Sequence, residues 1–298
     1  MSLAPRRSAQ SRFETLRGLR LHALAYEGQA ERPLRVLLHG WMDLAASFQF
    51  LVDAFADPAP VLALDWRGFG HSEAGGHDAY FFADYLGDLD AWLDRVSPGR
   101  PVDLIAHSMG GNVAMLYAGV RPDRVRRLVN LEGFGLPDSS ADEAPQRLQR
   151  WLDELQQPAE LKDYASCAAV AQRLRKNNPR LSEARAQWLA AQWAEALPDG
   201  RWRLRADPLH KRAHAVLYRK AEALACWRRI AAPVLFVEGQ DDSLAAYWGD
   251  RFPRQDLLER LAEVKQLRHE RIADAGHMLH HDQPEALAAL IDGFLLTP

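Results

Sequence analysis

Cysteine is scarce: only Cys167 and Cys226 occur in 298 residues. They lie far apart, in no metal-ligand or redox spacing, so a disulfide framework has no footing and two reduced thiols of a cytoplasmic protein are expected. Long apolar runs are missing too. Val102 to Ile105 and Val234 to Val237 are short and punctuated, whereas a membrane-spanning helix needs roughly 20 consecutive apolar residues. The amino-terminal MSLAPRRSAQSRFE has two adjacent arginines but neither an apolar stretch nor a small-residue cleavage site after them, so export is not expected. No charge sign dominates: the net charge is −3, with basic residues scattered among acidic ones, which speaks against a nucleic-acid partner. His280 and His281 are adjacent rather than four apart, and Gly68-x-Gly70 lacks the third glycine and helix start of a dinucleotide site; neither metal nor cofactor is expected.

What is present is an ordinary globular composition, 48% hydrophobic and 26% charged, in which short β-branched and Leu-rich runs alternate with longer helical patterns. That alternation predicts an α/β fold with a mostly parallel sheet wound by crossover helices. Candidate strands are Arg35 to Leu38, Val61 to Asp65, Val102 to His107, Val125 to Leu131, Val234 to Glu238 and Leu267 to Ala273. Several are continuous apolar runs, as strands covered on both faces should be. Ser11 to Tyr26 alternates like an antiparallel hairpin at the sheet edge. About a hundred residues separate the strand ending at Leu131 from the one starting at Val234, too many for one crossover helix of roughly a dozen residues. Helical patterns at Gln146 to Leu155, Leu161 to Arg175 and Glu183 to Ala196, punctuated by prolines, make this an inserted helical cap, residues 134–228, over a core of residues 1–133 and 229–298.

The chemistry gathers where strands end. Ala106-His107-Ser108-Met109-Gly110-Gly111 follows a strand and opens a helix. A serine there sits on a strained turn that lifts its hydroxyl above the sheet, and the turn needs small residues two positions either side; Ala106 and Gly110 supply them. Such a serine needs an imidazole to take its proton. His277, in Asp274-Ala275-Gly276-His277 after the last strand, stands at the carboxyl ends of the strands, where reacting groups in open α/β sheets collect. Two backbone N–H groups aimed at a developing oxyanion complete the set: Met109 after the serine, and Trp41 after the Gly40 hinge. His39 is expected to brace its loop, the Asp65 to Ser72 loop to be structural, and His280 and His281 to be exposed loop or helix-entry residues. Of the tryptophans Trp151, Trp188, Trp193, Trp202 and Trp227, one or two should face substrate.

His39-Gly40-Trp41, Asp65-Trp66-Arg67-Gly68-Phe69-Gly70-His71-Ser72, the Ser108 turn and Gly276-His277 together resemble the α/β-hydrolase superfamily of serine esterases. Within it the chain is most similar to capped bacterial esterases and to the serine-hydrolase-like group sharing the His-Gly-Trp-x-Asp start. The resemblance implies an α/β-hydrolase fold and the order nucleophile, acid, base along the chain. It also implies an acid three residues beyond Gly239, which selects Asp242 over its neighbour Asp241. Glu132, directly after a strand, resembles the acid position of the haloalkane dehalogenase branch and is the rival.

The function expected is hydrolysis of a small or medium-chain carboxylic ester through an acyl-enzyme, with thioesterase or lysophospholipase chemistry using the same groups. Dehalogenases and epoxide hydrolases of similar architecture use a carboxylate nucleophile, and Ser108 argues against both. A serine-dependent haloperoxidase or carbon–carbon hydrolase is a further alternative. The alternative of another class is a non-catalytic ligand-binding module on the same fold, since a fold alone establishes no chemistry.

Overall fold

The computed structural model describes residues 4–297; residues 1–3, part of the segment read above for an export signal, and residue 298 lie outside the described residues. In chain order the strands are β1 (Gln10–Leu16), β2 (Leu19–Tyr26), β3 (Arg35–Leu38), β4 (Val61–Leu64), β5 (Val102–His107), β6 (Val125–Leu131), β7 (Ala194–Ala196), β8 (Trp202–Leu204), β9 (Val234–Gly239) and β10 (Leu267–Ile272). The helices are α1 (Gln49–Ala54), α2 (Phe82–Val96), α3 (Met109–Val120), α4 (Ala144–Leu155), α5 (Cys167–Asn177), α6 (Glu183–Trp193), α7 (Lys220–Trp227), α8 (Ser243–Trp248), α9 (Arg254–Leu261), α10 (Leu279–Asp282) and α11 (Pro284–Leu296).

The main sheet runs β1-β2-β4-β3-β5-β6-β9-β10, antiparallel across β1, β2 and β4 and parallel from β4 to β10. Its strands carry apolar side chains on both faces because both faces are covered. Val36 and Leu38 of β3, Leu104 and Ala106 of β5 and Leu128 of β6 enter a core shared with α2 and α3. The intervening Leu37, Ile105 and Val129 enter the opposite core, against α1 and α11. Each such side chain, once fully buried, contributes about 1.5–3 kcal/mol. The sequence-predicted strands match closely, and the hairpin is β1–β2 with β1 at the edge. Among the described residues no helix is long and apolar enough to cross a membrane.

The segment between β6 and β9 is less helical than expected. The Leu161 to Arg175 pattern begins its helix only at Cys167, where Ser166 caps α5 by accepting the Ala169 N–H; Tyr164, before it, is extended and bridges to Trp202. The Glu183 to Ala196 pattern stops at Trp193, and Ala194 to Ala196 instead pair antiparallel with Trp202 to Leu204 as β7–β8. This segment has a small core of its own, Val170, Leu174, Leu181 and Leu189, anchored on the sheet body by Phe50 of α1, whose ring meets Trp188 at 5.6 Å. The Asp65 to Ser72 loop is a second anchor. Gly70 N–H donates to Arg205 O at 2.8 Å and Asp207 N–H to Gly68 O at 2.7 Å, while His210 stacks between Phe69 and Tyr80 at 3.6 and 3.7 Å. Asp65 itself joins His22 at 2.6 Å and the Ala45 N–H at 2.7 Å, and Arg67 grips Asp88 with two bonds of 2.6 Å.

Candidate active site

Three loops at the carboxyl ends of β5, β6 and β10 converge. The first is the turn from β5 into α3, where Ser108 is held at φ 52°, a left-handed backbone that side chains disfavour and that survives only where surroundings impose it. Its N–H donates to Leu131 O at 2.8 Å. Gly110 lets α3 come close behind it, since a Cβ there would collide with the carbonyl oxygens of Leu38 and His39. Ser108 Oγ lies 3.0 Å from His277 Nε2.

The carboxylate that meets His277 is Glu132, not the expected Asp242. Glu132 Oε2 stands 2.8 Å from His277 Nδ1, and Oε1 accepts the Gly239 N–H at 2.7 Å. The residue is buried and, like Ser108, has a positive φ, 56°. The turn that aims it is closed by Asn130, whose Oδ1 accepts the Gly133 N–H at 2.8 Å and whose amide donates to Gly133 O at 3.0 Å. Asp242 is exposed and its carboxylate caps α8, accepting the Ala245 N–H at 3.0 Å; an exposed cap has no reason to turn inward to a histidine. Asp241 is engaged by Arg180 at 2.6 and 3.0 Å.

His277 is braced from behind by a residue to which the sequence reading assigned no role. His107, the last residue of β5, hydrogen-bonds through Nε2 to His277 O at 2.8 Å. As a carbonyl only accepts, Nε2 carries the hydrogen. Burial, reinforced by His277, holds His107 well below the ordinary imidazole range, so it is neutral. Tyr247, from α8, meets the His277 ring edge-on at 4.9 Å; nothing in its sequence neighbourhood marks it.

On the other side of Ser108, the Gly40 turn brings Trp41 and Met42 to the site; a Cβ at Gly40 would press on His107 Nδ1 and Ser108 Cβ at 3.0 and 3.1 Å. The backbone N–H groups of Trp41 and Met109 have no hydrogen-bond partner among the described residues, which leaves both free to donate. His39 braces the loop as expected. Its Nε2 accepts the Trp66 N–H at 3.1 Å, so Nδ1 donates to Gly40 O at 2.7 Å. Burial lowers its pKa to about 4, which keeps it neutral. The Trp41 indole donates to His210 O at 3.1 Å, tying this loop to the β6–β9 segment.

These groups floor a cavity of about 990 Å³ roofed by the β6–β9 segment. Of the five tryptophans among which one or two are expected to face substrate, Trp193 lines it, whereas Trp227 lies in the main core and Trp188 and Trp202 pack on the small one. His280 and His281, expected to be exposed, are buried in α10. Chemically, an imidazole fixed by a carboxylate at one nitrogen can take the Ser108 proton at the other, and two free N–H groups can stabilise an oxyanion.

The comparisons agree with this architecture. Residues 34–284 match the family model for the alpha/beta hydrolase fold, and the chain belongs to that family. A serine hydrolase-like protein of Danio rerio is 24% identical over 89% of this chain and 81% of its own length. Epoxide hydrolase 4 of Mus musculus is 35% identical, but the match covers 38% of this chain and about a third, 31%, of the relative. Among solved structures, the thioesterase domain from the curacin biosynthetic pathway superposes with a TM-score of 0.81 at 25% identity, covering 97% of this chain and 100% of that one.

Proposed function

We propose that the chain is a serine hydrolase that cleaves a small or medium-chain acyl ester, with Ser108 as nucleophile, His277 as general base, Glu132 as the orienting acid, and the N–H groups of Trp41 and Met109 as oxyanion donors. The observation that carries it is the continuous line from Ser108 Oγ to His277 Nε2, 3.0 Å, and from His277 Nδ1 to Glu132 Oε2, 2.8 Å, at the floor of a cavity. As Ser108 attacks the carbonyl carbon, His277 takes its proton and the carbonyl electrons move to an oxygen facing the two N–H groups. Collapse expels the alcohol, to which His277 returns the proton, and water repeats the sequence on the acyl-serine. Glu132 fixes the tautomer and supports the imidazolium.

The names of the relatives fit this reading unequally. An epoxide opened by a serine alkoxide would leave an ether that water does not release, whereas a carboxylate nucleophile forms a hydrolysable ester; Ser108 therefore favours acyl transfer over the epoxide chemistry of the Mus musculus relative. Thioesters are served by the same groups, and the likeness to a thioesterase domain supports including them. We read the β6–β9 segment as the cap that shapes the acyl site, and the two free cysteines as suited to the cytoplasm. A non-catalytic module would have no need of two strained residues, Ser108 and Glu132, brought onto one imidazole. The test is a series of p-nitrophenyl esters and acyl thioesters of graded length, with phosphonate labelling. Turnover and labelling that vanish in Ser108→Ala support the proposal; labelling that persists at another serine overturns it.

A further inference from the structure

Beneath the proposed triad, behind His107, lies a second cluster that the reaction does not use. Asp43 from the loop after β3, His107 from the end of β5 and His280 from α10 are all buried. One carboxylate oxygen of Asp43 and one nitrogen of each ring lie within 4.8 Å of one another. Asp43 Oδ1 is occupied by the Leu44 N–H at 2.8 Å. Its Oδ2 has no hydrogen-bond partner among the described residues and stands 4.0 Å from His280 Nε2. His107 Nδ1 also lacks a partner, and because Nε2 carries the hydrogen that goes to His277 O, Nδ1 presents a bare lone pair. Buried acceptors left unpaired each cost about 1–3 kcal/mol, so the cluster calls for a positively charged or hydrogen-bearing occupant.

We propose that Asp43, His107 and His280 form a transition-metal site of the zinc class, and that its occupancy inhibits hydrolysis. Two imidazole nitrogens and a carboxylate oxygen are a ligand set suited to Zn²⁺, Co²⁺ or Ni²⁺, with water as the fourth ligand. Donors about 2.1 Å from such an ion stand about 3.4 Å apart, so the cluster closes on it with shifts of about an ångström. Asp43 and His107 border the active-site cavity, which gives the ion its way in. The sequence hides the site because the three ligands come from positions 43, 107 and 280. The inhibitory half rests on the proposed acyl-transfer function. The His107 ring is 4.7 Å from the His277 ring and hydrogen-bonded to its backbone, so a dication on Nδ1 stands behind the imidazole that must become positive in the transition state. Repulsion of like charges disfavours that step.

The test uses full-length protein stripped with chelator, then titrated with Co²⁺ and, separately, with Zn²⁺. One equivalent of cobalt giving the intense visible absorption of a four-coordinate ion is expected. It should disappear in both Asp43→Asn and His280→Gln, and the zinc concentration halving each variant's own ester turnover should rise at least tenfold. Chelator should restore wild-type turnover. Absence of a cobalt band in the folded wild-type protein overturns the site and leaves the cluster to a buried water. A band that survives both substitutions overturns it equally and moves the ion elsewhere. A stoichiometric, substitution-sensitive band in a protein that turns over no ester keeps the site and removes the function proposed above.

Discussion

Gly111 and Asn130 share one space: a Cβ at position 111 would collide with Asn130 Oδ1. That oxygen has no room to give, because the Asn130 amide is tied at both ends to the Gly133 backbone, and Gly133 follows directly on Glu132. Gly111→Ala gains helix propensity in α3, at most about 1 kcal/mol, but overpacks a fixed contact, which costs about 1–3 kcal/mol. The collision wins. The expected outcome is a lower Tm together with a fall in kcat larger than any rise in KM, because the turn that aims Glu132 is displaced. Unchanged kcat in a destabilised variant would separate this contact from the position of the acid.

Glu132→Gln leaves the shape of the acid and removes its charge. The loss of tautomer control and imidazolium support is expected to lower kcat by about 10²–10⁴. Asp242→Ala should leave kcat within about twofold and cost about 1 kcal/mol of stability through the lost helix cap. Steady-state kinetics and thermal melts on the two variants check this, and the reverse ranking would return the acid to Asp242.

The contrast between those two carboxylates marks where the sequence stops being legible. Strands such as Leu104 to Ala106 and Val234 to Val237 announce themselves because burial on both faces leaves apolar side chains in succession, and the Ser108 turn because its steric demands fall on immediate neighbours. Glu132 faces His277 across 145 residues by virtue of a positive-φ turn closed by Asn130 and Gly133, and no local pattern encodes that. Asp242 is a local feature, a cap, that occupies the position expected of an acid. His280 and His281 read as exposed beside Asp282 and Gln283, yet Ser47, far away in the chain, receives both rings, at 3.3 and 2.7 Å. Ala194 to Ala196 read as the end of a helix because their strand partner, Trp202 to Leu204, lies beyond a turn.

Acid should unfold the protein partly through Glu238. Burial opposes its ionisation, but hydrogen bonds from His269 and Arg254, with their charges, outweigh burial and bring its pKa down from 4.5 to about 2. A carboxyl whose folded-state pKa is depressed binds fewer protons folded than unfolded. The linked stability is therefore present above the unfolded value and is lost as pH falls towards about 2. A shift of this size corresponds to roughly 3 kcal/mol. Thermal melts between about pH 6 and pH 3 should show a shallower loss of Tm in Glu238→Gln than in the wild type, although the variant starts lower. Parallel slopes would assign the acid sensitivity to other groups.

Trp193, from the β6–β9 segment, should set the acyl length accepted. It borders the cavity above Ser108, so each methylene that finds room beside it gains about 0.8 kcal/mol, roughly fourfold in kcat/KM, until the pocket is full. In the wild type kcat/KM should climb with acyl length and then drop. Trp193→Ala enlarges the cavity, and the optimum is expected to move up by about two methylenes or more while short esters lose rate. Trp227→Ala is the control. Its ring is buried in the main core away from the cavity, so it should cost about 3–5 kcal/mol of stability and leave the optimum where it was. The series must be run below the critical micelle concentration of each ester. An optimum unmoved in Trp193→Ala would mean that this segment does not measure the acyl chain, and the loop carrying Trp41, a residue 52% exposed that lines the same cavity, would be the next wall to truncate.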